Sequence, residues 1–304
     1  MTADEALRRL LHNLDRRGYR FVTPTPATHA RNLARNLPGV DVRCILGWNH
    51  EFRYEDDHDD LIALLRAADM LDEPGKGVFR SRVRVSTLDD LCFLHSAYPT
   101  DQTDAVFFGP DSYRFAAFLR AELPRLPPPR RIVDIGAGTG VGAIVASALA
   151  PGAQISMTDI NPQALRFAKI NAAFNGVRAE FVQTDALASV AGEIDCVIAN
   201  PPYIADPAHR AYRDGGAEHG GALSLQWARE AAQRLERGGA FLLYTGSAIV
   251  GGKDTLKDAF LEALDGFDIG YREIDPDVFG EELEREDYAD VERIAVVGLV
   301  AIKR

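Results

Sequence analysis

Three cysteines in 304 residues, Cys44, Cys92 and Cys196, are too few and too scattered for a disulfide framework. None forms a C-x-x-C pair, so the usual zinc and dithiol signatures are missing, and no histidine spacing points to a metal. The pattern predicts reduced thiols in a cytoplasmic protein, with Cys196 as a core residue inside a strand. No apolar run is long enough to span a bilayer. The opening residues, with Asp4, Glu5, Arg8 and Arg9, lack the apolar stretch of a secretory signal, so none is expected. Positive charge is scarce: the formal net charge is −11, which works against broad binding of nucleic acid. The arginines of the first fifty residues (Arg8, Arg9, Arg16, Arg17, Arg20, Arg31, Arg35 and Arg43) read as solvated helix faces. Internal repeats are absent.

What the chain has is concentrated in Ile194-Asp195-Cys196-Val197-Ile198-Ala199-Asn200-Pro201-Pro202-Tyr203. A β-branched apolar run reads as a buried strand, and it stops at Asn-Pro-Pro-Tyr. The two prolines remove two backbone donors and force an extended exit, so the strand end is rigid. Left there are acceptors, the Asn200 side-chain oxygen and the Pro201 carbonyl, beside the aromatic face of Tyr203. Such a set suits a substrate that brings donors, such as an NH2 group. Gripping both N–H bonds off-plane favours a tetrahedral nitrogen and aims its lone pair at an electrophile.

The electrophile is indicated roughly 60 residues upstream, a span that fits several strand–helix units. Arg131 to Ile135 reads as a strand feeding Gly136-Ala137-Gly138-Thr139-Gly140, and Val141 to Leu149 as the helix that follows. Glycines permit a tight turn and let a ligand lie against the backbone. The spacing is G-x-G-x-G after Asp134, not the G-x-G-x-x-G that cradles a pyrophosphate. A carboxylate at Asp134 would repel phosphates and welcome a sulfonium and an ammonium, which points to S-adenosylmethionine over NAD. Gln154 to Asp159 is a second strand ending in an acid, placed where a ribose-binding carboxylate is expected. Glu180 to Asp185 reads as a third, its acid suited to an adenine amino group.

These residues resemble a class I S-adenosylmethionine-dependent methyltransferase of the N-methylating branch. Within it the chain most resembles the HemK-type protein-glutamine N5-methyltransferases, which modify the Gly-Gly-Gln glutamine of translation release factors. The likeness runs from about Phe107 to the end of the chain, with Gly215 to Leu225 and Gly238-Gly239-Ala240-Phe241-Leu242-Leu243 included. The family's Pro-Arg-Pro-x-Thr-Glu-like stretch is replaced by Phe107-Phe108-Gly109-Pro110-Asp111-Ser112-Tyr113-Arg114-Phe115, which keeps only the Pro. The resemblance implies a Rossmann-like α/β core, mostly parallel with an antiparallel C-terminal edge. A helical module and β-hairpin precede it. It also implies a protein substrate of the release-factor type. Other readings are a small-molecule amine or amide acceptor, a nucleic-acid base (disfavoured by charge), and a binding module without turnover.

Residues 1–100 are expected to form the smaller module and 101–304 the catalytic core. Leu7, Leu10, Leu11 and Leu14 recur at helical spacing, as do Leu61, Leu64, Leu65 and Ala68 within a helix predicted from Asp59 to Leu71. Arg82 to Val85 and Leu91 to Leu94 read as a hairpin around Asp89-Asp90. Ser112 is the expected N-cap of a helix through Phe115, Phe118 and Leu119. Further on, Leu225 to Leu235 reads as helix, and Ala240 to Thr245, Phe267 to Ile274 and Ile294 to Ile302 as strands, the last two an antiparallel pair.

Several residues keep two readings. Asp134 can cap the glycine turn or act on the cofactor, Thr139 can bond the cofactor or its own loop, and Tyr203 can wall the acceptor pocket or pack beneath it. Phe107 and Phe108 can cover the cofactor or anchor the N-terminal module. His209 and His219 read as solvated loop residues, in a stretch from Ala205 to Gly221 long enough to be a substrate lid. Glu281 and Glu282 read as an acidic surface.

Overall fold

The computed structural model describes residues 1–35, 41–53, 58–206, 210 and 212–304. His209 lies outside them.

The first helix, α1 (Ala3–Arg16), starts where Thr2 caps it, its hydroxyl accepting the Glu5 N–H at 3.2 Å. The leucines at helical spacing are all buried, each worth roughly 1.5–3 kcal/mol on transfer from water. Two short helices follow, α2 (Pro26–Leu33) and α3 (Val42–Leu46), then β1 (Phe52–Arg53) and α4 (Asp59–Ala67). Helix α4 ends before Leu71, short of the expected boundary, because Asp69 turns left-handed at φ 57°. Leu71 instead opens β2 (Leu71–Gly75), which pairs with β3 (Val78–Ser81). The hairpin read from sequence is present as β4 (Val83–Leu88) and β5 (Leu91–Ser96), antiparallel about Asp89-Asp90.

The core begins with α5 (Pro110–Glu122). Its N-cap is Gly109, not Ser112: Pro110 occupies the first helical position, and Ser112 reaches back to accept the Gly109 N–H at 3.2 Å. Then come β6 (Arg131–Ile135), α6 (Val141–Leu149), β7 (Gln154–Asp159), α7 (Pro162–Phe174), β8 (Glu180–Gln183) and β9 (Ile194–Ala199). After a long connection follow α8 (Ala222–Arg234), β10 (Leu235–Val250), β11 (Lys253–Asp254), α9 (Thr255–Ala263), β12 (Phe267–Asp275) and β13 (Arg293–Lys303).

The main sheet runs β12-β13-β10-β9-β6-β7-β8. From β10 to β8 every pairing is parallel, and β13 runs antiparallel to both β10 and β12. Alternation sends Ile132, Ile198 and Leu242 to one face, against Phe115, Leu119 and Ile144 of α5 and α6. Their neighbours Val133, Val197 and Phe241 meet Leu225, Trp227 and Phe260 of α8 and α9 on the other. Both faces are covered, as a doubly wound parallel sheet requires.

The N-terminal elements have their own apolar cluster, but it includes Ala164, Phe167 and Ile170 of α7. Two amides one turn apart, Asn171 of α7 and its C-cap Asn175, seal the joint. Asn171 accepts the Leu94 N–H at 2.8 Å and donates to its carbonyl at 3.0 Å, while Asn175 does the same for Cys92. The open edge of β5 is thus paired by side chains rather than a strand.

Candidate active site

Strand β6 delivers the chain into the glycine turn at the C-terminal edge of the sheet. Gly136, Gly138 and Gly140 have φ values of 62°, 55° and 79°, a region costly for any residue with a Cβ. At Gly136 a Cβ would also meet the Trp227 ring at 2.5 Å, whereas at Gly138 its nearest neighbour is the Gly136 carbonyl at 4.0 Å. Bare backbone at Gly138 therefore faces open space. Gly140 does not reach the cavity as expected: it starts α6 and packs towards Met157 and Ala168.

Asp134 is buried, and its Oδ2 accepts the Ala143 N–H in the first turn of α6 at 2.8 Å. Burial pushes its carboxyl up to about 7, opposed by that N–H and assisted by the charge of Asp159. Asp159 closes β7, with Oδ2 accepting from Gly138 and Oδ1 from Asn161, both at 2.9 Å. Burial raises its pKa, against the pull of those backbone donors. Asp185 lies just beyond the end of β8, exposed. Thr139 is buried, and its carbonyl accepts from Asn171.

Asn200, Pro201 and Tyr203 follow the end of β9. The Tyr203 ring is mostly buried, pressed on Gly246 of β10 and edge-on to Phe279 at 5.8 Å. The returning loop braces this segment from behind. A Cβ on Gly215 would lie 2.7 Å from the Pro202 carbonyl, and one on Gly220 would strike the Tyr203 backbone. His219 is a fastening of that loop rather than a solvated side chain. Its Nε2 is 3.1 Å from Asp290, and its carbonyl accepts the Tyr288 hydroxyl.

Asp134, Gly136, Gly138, Thr139, Asp159, Asp185, Asn200, Pro201 and Tyr203 all border one cavity of about 450 Å³. Phe107 lines it too, stacked at 5.8 Å on Tyr212, whose hydroxyl donates to the Thr100 carbonyl at 2.7 Å. Phe108 instead stacks on Phe93 and His95 as an anchor of the hairpin. Thr25 and Pro26, at the start of α2, complete the mouth.

Among the described residues lining the cavity there are six carboxylates (Asp111, Asp134, Asp159, Asp185, Asp277 and Glu281) and two guanidiniums. Both guanidiniums are occupied, Arg114 by Asp111 and Asp275, and Arg213 by Glu282. Glu282 is thereby buried in an ion pair, and Glu281 borders the cavity, so neither is plain acidic surface. Such a lining suits a cationic ligand and not a pyrophosphate. Together with bare backbone at Gly138 and strand-end acids at Asp159 and Asp185, it fits S-adenosylmethionine. Sequence reasoning missed Asp111 and Tyr212, which no motif marked.

The methyltransferase small domain family matches residues 112–264. The release factor glutamine methyltransferase of Deinococcus radiodurans is 38% identical over 133 residues, 40% of this chain and 47% of that protein. The ribosomal RNA small subunit methyltransferase C of Serratia proteamaculans is 32% identical over 73 residues, 24% of this chain and 21% of that protein. The chain thus spans about half or less of the length of these curated relatives. The crystal structure of Trm5b from Pyrococcus abyssi superposes with a TM-score of 0.51 at 15% identity, over 77% of this chain and 62% of that one, and shows the same fold. On sequence and fold together, the chain belongs to the methyltransferase small domain family.

Proposed function

We propose that this protein transfers a methyl group from S-adenosylmethionine to an NH2-type nitrogen, with a glutamine side-chain amide of a release-factor-type protein as its best substrate. The observation that carries this reading is the cavity itself. An acid-rich wall with its guanidiniums already paired adjoins the strand end that carries the Asn200 amide and the Pro201 carbonyl.

S-adenosylmethionine, when bound, supplies an electrophilic methyl on a positive sulfonium. Asp159 and Asp185 would hold its ribose and adenine, and Gly136 and Gly138 would let it lie on the turn. Asp134, bonded to α6, braces the turn and borders the cavity. The Asn200 oxygen and the Pro201 carbonyl accept the two N–H bonds of the acceptor and so orient its lone pair. Tyr203, fixed by Gly246 and Phe279, walls the acceptor plane. The protein's contribution is proximity and orientation.

The glutamine amide is favoured by the resemblance to HemK-type enzymes and by the Deinococcus radiodurans relative. We read residues 1–100 as a substrate-recognition module and 101–304 as the catalytic core, supported by Thr25 and Pro26 at the cavity mouth. We also read the protein as cytoplasmic, supported by three unpaired cysteines. Incubation with methyl-labelled S-adenosylmethionine and a cell lysate, followed by separation of protein, RNA and small molecules, tests the reading. Label is expected in protein, on a glutamine. Label confined to RNA or to small molecules would replace the acceptor, and no transfer to any fraction would overturn the activity.

A further inference from the structure

The sequence offers no general base, yet the cavity holds a carboxylate that the proposed reaction has not used. Asp111, the second residue of α5, is 6% exposed and borders the cavity. The Tyr244 hydroxyl donates to its Oδ1 at 2.9 Å. Arg114, on the same helix, lies 3.5 Å from that oxygen but shares its guanidinium with Asp275 of β12 at 3.0 Å. The Tyr203 hydroxyl lies beside it. The groups facing Asp111 are therefore Tyr244 from β10, Tyr203 from the segment after β9, Arg114 from its own helix and Asp275 from β12. The register pairs Leu243 of β10 with Ala199, the last residue of β9. Asp111 borders the same cavity as Asn200, Pro201 and Tyr203, the strand end assigned to the acceptor.

We propose that Asp111 is the proton acceptor for the methylated nitrogen. The assignment rests on the function proposed above. Transfer leaves that nitrogen with its new methyl, two hydrogens and a positive charge. One N–H bond then breaks, its electron pair stays on nitrogen, and the proton passes to a carboxylate oxygen of Asp111. The carboxyl returns the proton to solvent when the product leaves. A side chain already in place takes the proton in this step. Burial raises the Asp111 carboxyl, against the pull of the Tyr244 and Tyr203 hydroxyls and the shared Arg114 guanidinium, which suits a group that must take up a proton.

A merely structural Asp111 would serve only to accept the Tyr244 hydroxyl, and asparagine would serve as well. Asp111→Asn separates the two. Its affinity for S-adenosylhomocysteine by isothermal titration should stay within about threefold, while kcat for the labelled acceptor falls about 10²-fold. The acid limb of the wild-type pH–rate profile should vanish, and Asp111→Glu should restore part of both. Wild-type kcat and an intact acid limb in Asp111→Asn would overturn the assignment alone. Absence of transfer by the wild-type protein to every acceptor fraction would overturn the function and this role together. Should Asp111→Asn fail to fold, Tyr244→Phe keeps the question open to decision. Removing a donor to the carboxylate should move the acid limb to higher pH, and an unmoved limb would count against Asp111.

Discussion

The backbone N–H of Gly138 donates to Oδ2 of Asp159 at 2.9 Å, tying the turn after β6 to the end of β7. The carboxylate assigned to the ribose therefore also fixes the loop on which the cofactor would lie. A carboxylate has about four acceptor sites, more than its backbone donors here use, so both jobs can be done at once.

Asp159→Ala should weaken S-adenosylmethionine binding by roughly 10- to 150-fold, or about 1.5–3 kcal/mol. It should also lower the melting temperature, because the Gly138 and Asn161 N–H groups lose their acceptor. Isothermal titration and thermal melts read the two effects, and unchanged affinity would remove Asp159 from the site. NAD and NADH should give no heat with the wild-type protein, since the cavity's carboxylates outnumber its already paired guanidiniums. Tight NAD binding would sink the methyltransferase reading.

Asp134 gives a pH signature with a definite sign. Its folded-state carboxyl titrates at about 7, against an unfolded value near ~3.9, so the native state binds the proton more tightly. Stability from this group is full below the unfolded pKa and is lost as pH rises towards the folded one. Asp134→Asn keeps an acceptor for the Ala143 N–H and removes the buried charge. Melting temperatures of the variant relative to wild type should therefore climb between pH 4 and 7, a window set by the shift to about 7. A difference that stays flat across that window would show Asp134 to be no buried titrating group.

Gly246→Ala tests the seat of Tyr203. A Cβ there collides with the tyrosine ring, which Phe279 restrains at 5.8 Å on another side. Overpacking of this kind costs about 1–3 kcal/mol. Turnover should fall more than cofactor affinity, because the displaced ring belongs to the acceptor side. Kinetics paired with cofactor titration would show it, and parallel losses would mean that Tyr203 supports the whole cavity.

Much of this arrangement is legible in the residues. The β-branched runs ending at Asp159 and at Asn200 mark strand ends on one sheet edge, and the parallel order places them on either side of β6. Local rules failed where tertiary contacts decide. Ser112 has the chemistry of an N-cap, but Pro110 fixes the helix start earlier and turns Ser112 into the reciprocal partner. Leu71 continued a helical pattern that Asp69 breaks. Glu282 looked like surface because its partner, Arg213, is 69 residues away in sequence. Asp111 carries no motif at all, and only the fold, in which it meets Tyr244, 133 residues on, brings it to the cavity.

Asn200 bears the central claim, that a rigid strand end grips the acceptor nitrogen. The measurement is kcat for methyl transfer alongside S-adenosylmethionine affinity, in wild type, Asn200→Ala and Asn200→Asp. The alanine variant should keep cofactor affinity within a few-fold and lose about 10²–10³ in kcat, as when one oriented transition-state contact is removed. Aspartate, which preserves an acceptor oxygen, should be milder. If both variants lost cofactor binding in step with turnover, Asn200 would be a prop of the cofactor pocket and the acceptor grip would be refuted.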